Sequence, residues 1–460
     1  MIAIVSDLHL TDGSSGETIR VGAFRAFRER LRDMAYDASW RSDGKYKPID
    51  ELHLILLGDI LDVIRSSKWP ADPAAPDYVR PWGDSQSPKF ANKIAAITEG
   101  ILANNADSLA VLKSLTDGET ITVPPATQDG KPAEVSREPD SPARVPVPVH
   151  VHYLVGNHDW FYHLPGLAFD QIRQRVVDAM GLANSPTVPF PHDPSESPAI
   201  EAAYREHALF ARHGDIFDEF NYDGDRNISS LGDAIVIDLL NRFPAEVEAK
   251  MGGELPQDCL TGLKEIDNVR PLLVIPVWVD SLLRRTCSDP GQIKKVKDIW
   301  DGLADQFLNI PFVREHNSVF KLFDSFDKLE LALKFSRGVS LHTAGVLLSW
   351  IQEKMVTGGD GFYKYAFTER AFKNRTAQYI VYGHTHHYEV VPLDSSYSNG
   401  TLFNQMYLNS GTWRQVHELA TLNPQDQEFM GYKVMTYFGF FKKDERAGRH
   451  FESWSGALGS

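Results

Sequence analysis

Ile2-Ala3-Ile4-Val5-Ser6-Asp7-Leu8-His9 sets the terms for the rest of the chain. Four consecutive apolar residues suit a short strand buried on both faces. The run stops at a polar cluster that carries a carboxylate and an imidazole two positions apart. Four later stretches have the same form. Residues 52–57 run into Gly58-Asp59-Ile60-Leu61-Asp62, and 149–155 into Gly156-Asn157-His158-Asp159. Residues 209–211 run through Arg212 into His213-Gly214-Asp215, and 379–382 into Gly383-His384-Thr385-His386. Ligands of layered α/β proteins sit beyond the carboxyl ends of such strands. All five clusters fall at that end, so the reading is an α/β fold in which they converge on one site.

Helical stretches lie between the strands. Phe24, Phe27 and Leu31 within 20–38 recur at helical spacing, as do Phe169, Ile172, Val176 and Met180 before a stop at Gly181. Core packing accounts for both stripes. Residues 66–88, 117–148 and 184–198 hold five, seven and five prolines and read as surface excursions. The clusters assign one α/β domain to 1–215 and 377–460, interrupted by an insertion at 216–376. Apolar stretches at 231–243, 277–283, 329–335 and 346–351 give that insertion a mainly helical reading. It would cap the site, or act as a structural or oligomerisation module.

Composition narrows the function classes. Of 460 residues, 42% are apolar and 24% charged, which excludes wholesale disorder. The net charge of −15 argues against a dedicated nucleic-acid binder, which needs a basic footprint. Cys259 and Cys287 are too few for a disulfide framework and are expected to be reduced thiols. The most apolar stretch, 271–279, holds two prolines and is less than half the ~20 residues that span a bilayer. No signal peptide is visible ahead of Ile2. The expectation is a soluble, cytoplasmic protein.

Asp7, His9, Asp59, Asn157, His213, His384 and His386 offer hard oxygen and borderline nitrogen donors and no thiolate. That set suits Mn, Fe, Zn or Ni. Seven donors exceed the needs of one tetrahedral ion. Two ions ~3.5–4 Å apart, sharing a carboxylate, would use them all, and such pairs activate water and clamp a phosphoryl group. Gly58, Gly156 and Gly383 are read as points where the backbone turns sharply.

Asp-x-His, Gly-Asp-x-x-Asp, Gly-Asn-His-Asp, His-Gly and Gly-His-x-His, in that order, resemble the calcineurin-like metallophosphoesterase superfamily, and within it the bacterial dinuclear phosphoesterases. The resemblance covers 1–62, 149–215 and 377–440 and is silent on the insertion. It implies a four-layer α/β/β/α sandwich whose second sheet draws on 406–409 and 434–438. It also implies that Asn409-Ser410-Gly411-Thr412-Trp413 is a structural turn. It implies Asp7, His9 and His386 on a first metal, Asn157, His213 and His384 on a second, and Asp59 between them. A metal-bridging hydroxide would attack phosphorus, and His158, oriented by Asp62, would protonate the leaving oxygen. Manganese is the first expectation for both ions, with iron, zinc or nickel as alternatives. The substrate would be a small-molecule phosphodiester, phosphomonoester or pyrophosphate.

Departures from the pattern bear on substrate. Asp62 is followed by Val63-Ile64, where protein Ser/Thr phosphatases carry Arg-Gly. His158 stands where the lipid A pathway pyrophosphohydrolases carry Arg. A metal-dependent nuclease and a non-catalytic metal-binding scaffold are the alternative readings. Oligomeric state stays open.

Other residues receive plainer expectations. His387 should point away into solvent, and His152 should be packed or hydrogen-bonded. His163 lies within reach of a pocket mouth, although most such histidines do not contribute to one. Asp159 and Asp215 should hydrogen-bond backbone or ligand imidazoles, and Asp12 should either brace its loop or sit in a solvated turn. Arg20 and Arg65 are candidate phosphate contacts, but surface charge is the expected role of each.

Overall fold

The computed structural model describes residues 1–134, 141–319, 333, 361–398, 401–420 and 428–457. The fold is mixed α/β, with parallel and antiparallel sheets. The five expected strands form as β1 (Ile2–Val5), β2 (Leu52–Leu57), β5 (Val149–Leu154), β6 (Leu209–Ala211) and β8 (Tyr379–Tyr382). A short hairpin, β3 (Thr122–Val123) with β4 (Val145–Pro146), punctuates the second proline-rich excursion. The remaining strands are β7 (Val269–Arg270), β9 (Tyr388–Ser398), β10 (Thr401–Ser410), β11 (Gln415–Leu419), β12 (Phe429–Phe440) and β13 (Phe451–Ala457).

Two sheets organise these strands. The larger has the order β5-β2-β1-β12-β11-β7, with β13 also paired to β12. Within it β5, β2 and β1 are parallel, in register through Ile4, Ile55 and His152, while β12 runs antiparallel to β1. The smaller has the order β6-β8-β10-β9. Residues 406–409 pair with β8 in this smaller sheet. Residues 434–438 do not join it. They lie in β12 of the larger sheet, where Phe438 pairs with Ile4. From sequence alone a strand's register fixes which face is buried but not which sheet receives it.

The period-two alternation of β1 and β2 divides between two cores. Ile2, Ile4, Ile55 and Leu57 pack with Leu209, Ala211, Tyr379, Val381 and Leu408 of the smaller sheet. Ala3, Val5, Leu54 and Leu56 pack on the other side, against Phe24, Phe27 and Leu31 of α1 (Val21–Ala38). Each strand is therefore buried on both faces, which is why its sequence is continuously apolar. Trp413 closes this core, meeting Phe24 at a tilt and Phe27 edge-on, with its indole N–H donated to the Thr436 carbonyl at 2.7 Å. The helix Leu167–Met180 ends at Gly181 (φ 69°), whose N–H returns to the Val177 carbonyl at 2.8 Å.

Residues 231–319 are mainly helical. The α-helix Leu231–Ile235 passes into a π-helical turn, Val236–Leu240, and then into the helix Arg242–Met251. Helices Gln257–Leu263, Ile275–Thr286, Pro290–Leu308 and Pro311–Val319 follow. This region has no separate core, because Leu239, Phe243, Leu282 and Trp300 belong to the same buried cluster as Phe24 and Leu54. It also supplies β7, which pairs with β11. The stretches 329–335 and 346–351 lie outside the described residues, Leu333 excepted. Cys259 and Cys287 are buried and unbridged. No helix among the described residues is long and apolar enough to cross a membrane.

Candidate metal centre

The loops that leave β1, β2, β5, β6 and β8 meet at one place. Backbone bonds zip the first loop to the second: Asp7 N–H reaches the Gly58 carbonyl at 3.1 Å, and His9 N–H reaches that of Asp59 at 2.8 Å. The third loop is tied in through His158 N–H, which donates to Asp59 Oδ1 at 2.8 Å. The fifth is tied in through His384 N–H, which donates to both Asp7 carboxylate oxygens at 3.1 Å.

The backbone is held in an unusual state to achieve this. Asp7, His9, Asp59, His384 and His386 all have φ between 43° and 69°. Left-handed backbone is costly for residues with a Cβ and tends to persist where the surrounding structure imposes it at functional sites. The three loop glycines answer two needs. Gly58 meets both: its φ of 84° fits the sharp-turn reading, and a Cβ there would lie 2.5 Å from His213 Nδ1. Gly156 and Gly383 do not have positive φ; they are required for space. A Cβ at Gly156 would lie 2.3 Å from Asp59 Oδ1, and one at Gly383 would lie 2.5 Å from Asp7 Oδ2.

The donors fall into two groups whose ligand atoms lie within 4.8 Å of one another: Asp7, His9 and His386, and Asp59, His213 and His384. Asn157 joins the second through its Oδ1, 3.0 Å from His384 Nδ1. Asp59 Oδ2 stands between the groups, 3.2 Å from His213 Nε2 and 3.7 Å from His9 Nε2. All seven residues expected as ligands are brought together. Two features fit metal binding. His213 Nδ1–H donates to the Leu57 carbonyl at 2.9 Å, which presents the buried Nε2 to the cluster, where its neighbour is Asp59 Oδ2 at 3.2 Å. His9 Nε2 and His386 Nε2 face each other at 2.9 Å with Asp7 Oδ1 3.4 Å from the latter.

Asp62 is fully buried and serves two rings at once. Its Oδ1 accepts from His158 Nδ1 at 2.8 Å and its Oδ2 from His9 Nδ1 at 2.9 Å. Both imidazoles thereby present their Nε2 side to the cluster. Burial pushes the Asp62 carboxyl up, but His158 and His9 outweigh it and hold the group well below the carboxylate range. Burial disfavours charge on His158, yet Asp62 and Asp59 raise it to about 10. His213 is raised to about 10 in the same way, burial being outweighed by Asp59 and Asp7. His386 goes the other way, depressed by burial and by the Arg270 guanidinium. Asp159 is pushed up to about 6 by burial and by Asp59. It accepts from Tyr153 Oη at 2.6 Å and from the N–H groups of Gly156 and Ile60.

Other expectations meet the structure as follows. Asp215 pairs with Arg226, not with an imidazole. Arg65 is completely buried, so neither surface charge nor a phosphate contact describes it. It donates to the Ser15 carbonyl at 2.6 Å and to Asn241 Oδ1 at 3.0 Å, and its Nε lies 3.4 Å from Asp267. Arg20 is exposed at the start of α1. Asp12 braces its loop, accepting from Ser14 and Ser66. His387 faces outward and pairs with Glu418, His152 is packed at 3.2 Å from His53, and His163 donates to the Phe190 carbonyl at 2.8 Å. Ser410 and Thr412 of the structural turn bond to Ser6 and to the Asp7 carbonyl.

Three residues at the site were not anticipated. Asp218 Oδ2 lies 2.9 Å from His384 Nε2. Arg270 Nη2 lies 2.8 Å from His386 Nδ1, and Asp267 sits beside it in the cavity wall. Asp218 stood five positions past His213 and was open to notice as a further carboxylate in that loop. Arg270 and Asp267 had no motif around them.

The cluster forms one wall of a cavity of about 300 Å³, with His158, His384 and His386 on its surface. Neither protein-family models nor curated proteins give a match to this chain.

Proposed function

We propose that the protein is a dinuclear metal-dependent phosphoester hydrolase of the calcineurin-like metallophosphoesterase superfamily, acting on a phosphodiester, phosphomonoester or pyrophosphate of a small molecule. The observation that carries this reading is the placement of Asp59 between two donor sets, Asp7, His9 and His386 on one side and Asn157, His213 and His384 on the other, next to a histidine braced by a buried carboxylate. The buried layer shared by the two sheets supports the four-layer α/β/β/α arrangement.

The donor set fits two divalent transition ions: Asp7, His9 and His386 would hold one, Asn157, His213 and His384 the other, and Asp59 both. When bound, such ions activate water and neutralise charge on phosphoryl oxygens. Asp218 would compete for, or orient, His384. The His158 Nε2–H would protonate the leaving oxygen as the ester P–O bond breaks and a water oxygen joins phosphorus, the proton that this water gives up passing to solvent and one from solvent restoring His158. Asp62 keeps the His158 proton on the correct face and stabilises the imidazolium before transfer. Arg270 projects into the same cavity, where its planar fork suits a phosphoryl oxygen. It is the one Lys or Arg among the described cavity-lining residues, against Asp59, Asp218 and Asp267. That balance disfavours a polyanionic nucleic acid as the substrate.

The test is hydrolysis of an aryl phosphomonoester and the matching aryl phosphodiester, with manganese and with chelator. Metal-dependent turnover that disappears in Asp59→Asn is expected. His158→Ala should retain both metals and lose rate, most with poor leaving groups, by about 10²–10⁴-fold. Two bound metals with no turnover of either ester would overturn the hydrolase reading.

A further inference from the structure

We propose, resting on the phosphoesterase reading, that the substrate is an amphiphile: a phosphoester whose phosphoryl group meets the Asp-His cluster and whose alkyl or acyl chain occupies the adjoining cavity. The apolar part of the lining is built of Ile235, Val236, Leu239, Leu240, Ile275 and Trp300. A wholly polar substrate would find no chemical match in this part of the lining. An apolar chain would cover it, and small-molecule sites commonly combine an apolar lining with a few convergent polar groups.

The wall is braced against collapse. Val236, Leu239 and Leu240 lie in the π-helical turn, a departure from α geometry that recurs at functional sites. On the same turn, Asp238 is gripped by Arg80 through two bonds of 2.7 and 3.0 Å. The next residue, Asn241, takes a bond from Arg65 and donates to the Ile64 carbonyl at 2.7 Å. The Arg65 anchor grows from the same loop as Asp59 and Asp62. The apolar wall and the polar cluster are thus held at a fixed separation by buried polar contacts, and the cavity between them is part of the fold.

Binding is tested first, by calorimetry of ethyl, butyl and octyl phosphonate against the metal-loaded and metal-free protein. Affinity should rise about threefold to fourfold per methylene until the cavity is filled, in both forms. Val236→Phe and, independently, Ile275→Phe should weaken octyl phosphonate at least tenfold and leave ethyl phosphonate unchanged. Affinity that stays flat from ethyl to octyl in wild type overturns the proposal. Turnover is then compared for ethyl and octyl aryl phosphodiesters, each free in solution below its micellar concentration and each in phosphatidylcholine vesicles. A higher kcat/KM for the octyl ester supports the proposal, and the preferred presentation identifies a soluble or a membrane source. Equal kcat/KM for the two chains overturns the amphiphile proposal while leaving the phosphoesterase reading intact. No metal-dependent turnover of either ester overturns that reading, and the substrate assignment with it.

Discussion

Replacing Gly156 by alanine tests the architecture of the centre with a single methyl group. The added Cβ would stand 2.3 Å from Asp59 Oδ1 and 2.5 Å from the His213 ring, against the 3.5–4.0 Å at which carbon atoms pack well. Neither neighbour can yield cheaply. Asp59 Oδ1 holds the His158 N–H, and His213 is fixed by the Leu57 carbonyl. Relief requires a displacement of roughly 1 Å, twice the tolerance of about 0.5 Å for a productive site. Overpacking of this kind costs about 1–3 kcal/mol, and metal affinity should fall on the order of 10–100-fold. Gly302→Ala is the control. It lies exposed in the helix Pro290–Leu308 with nothing within 4 Å of an added Cβ, and should stabilise by about 0.5–1 kcal/mol. The assay is urea unfolding of both variants in chelator, followed by competitive titration with a chromophoric chelator to count and rank bound metals. A Gly156→Ala protein with wild-type unfolding and two tightly bound ions would refute the claim that Asp59 and His213 are packed against this glycine in a metal centre.

Four further outcomes are expected. Asp62→Asn replaces a shared acceptor by a group that can accept from only one of the two rings; His9 and His158 should both titrate nearer ordinary histidine values in metal-free protein, and unchanged imidazole NMR titrations would contradict the geometry. Metal affinity should weaken as pH falls, because His213 holds its proton up to about 10 without metal and an ion must displace it; the slope approaches tenfold per pH unit per displaced proton in chelator competition at pH 6, 7 and 8, and a flat profile would count against these ligands. His152 and His207 are buried with their values lowered to about 4 and about 3 by desolvation, so below an unfolded value near 6.5 the unfolded chain binds protons that the folded chain refuses. Stability is therefore complete above about pH 6.5 and lost on acidification toward 4 and 3, at about 1.4 kcal/mol per pH unit for each group, and urea midpoints that do not fall between pH 7 and 4.5 would contradict this. Arg270→Gln should raise KM for phosphoesters more than tenfold while leaving metal content unchanged, and loss of metal instead would show that it supports His386 alone.

The strands and the donor set were legible in the sequence because both are local. A strand buried on both faces must be apolar throughout, and Ile2, Ile4, Ile55 and Leu57 declare it without reference to any partner. Asp7 and His9, or His384 and His386, announce ligand spacing within three residues. What could not be read depends on long-range pairing. The placement of β12 beside β1 is a contact between Ile4 and Phe438, and nothing near either residue encodes the other. Arg65 illustrates a different failure. Its charge suggested a surface, but its partners Ser15, Asn241 and Asp267 come from three separate segments. Arg270 entered the site by the same route, from a segment with no chemistry of its own in sequence. The double use of Asp62 was half visible: its service to His158 followed from the resemblance, and its hold on His9 followed only from the geometry.

The placement of β1 between β2 and β12 has a consequence for biosynthesis. Its first edge is closed by Leu54 and Ile55, but its second waits for Phe438 and Phe440, about 380 residues later. At ribosomal rates of about 5–20 residues per second, that edge stands open for roughly 20–80 s. Throughout the interval the nascent chain carries a row of unpaired N–H and C=O groups able to recruit any passing strand. Asp7, His9 and Asp59 meanwhile lack His384 and His386, so the donor cluster is incomplete over most of the same interval. The late arrival of the C-terminal strands is thus the step that closes the larger sheet around β1.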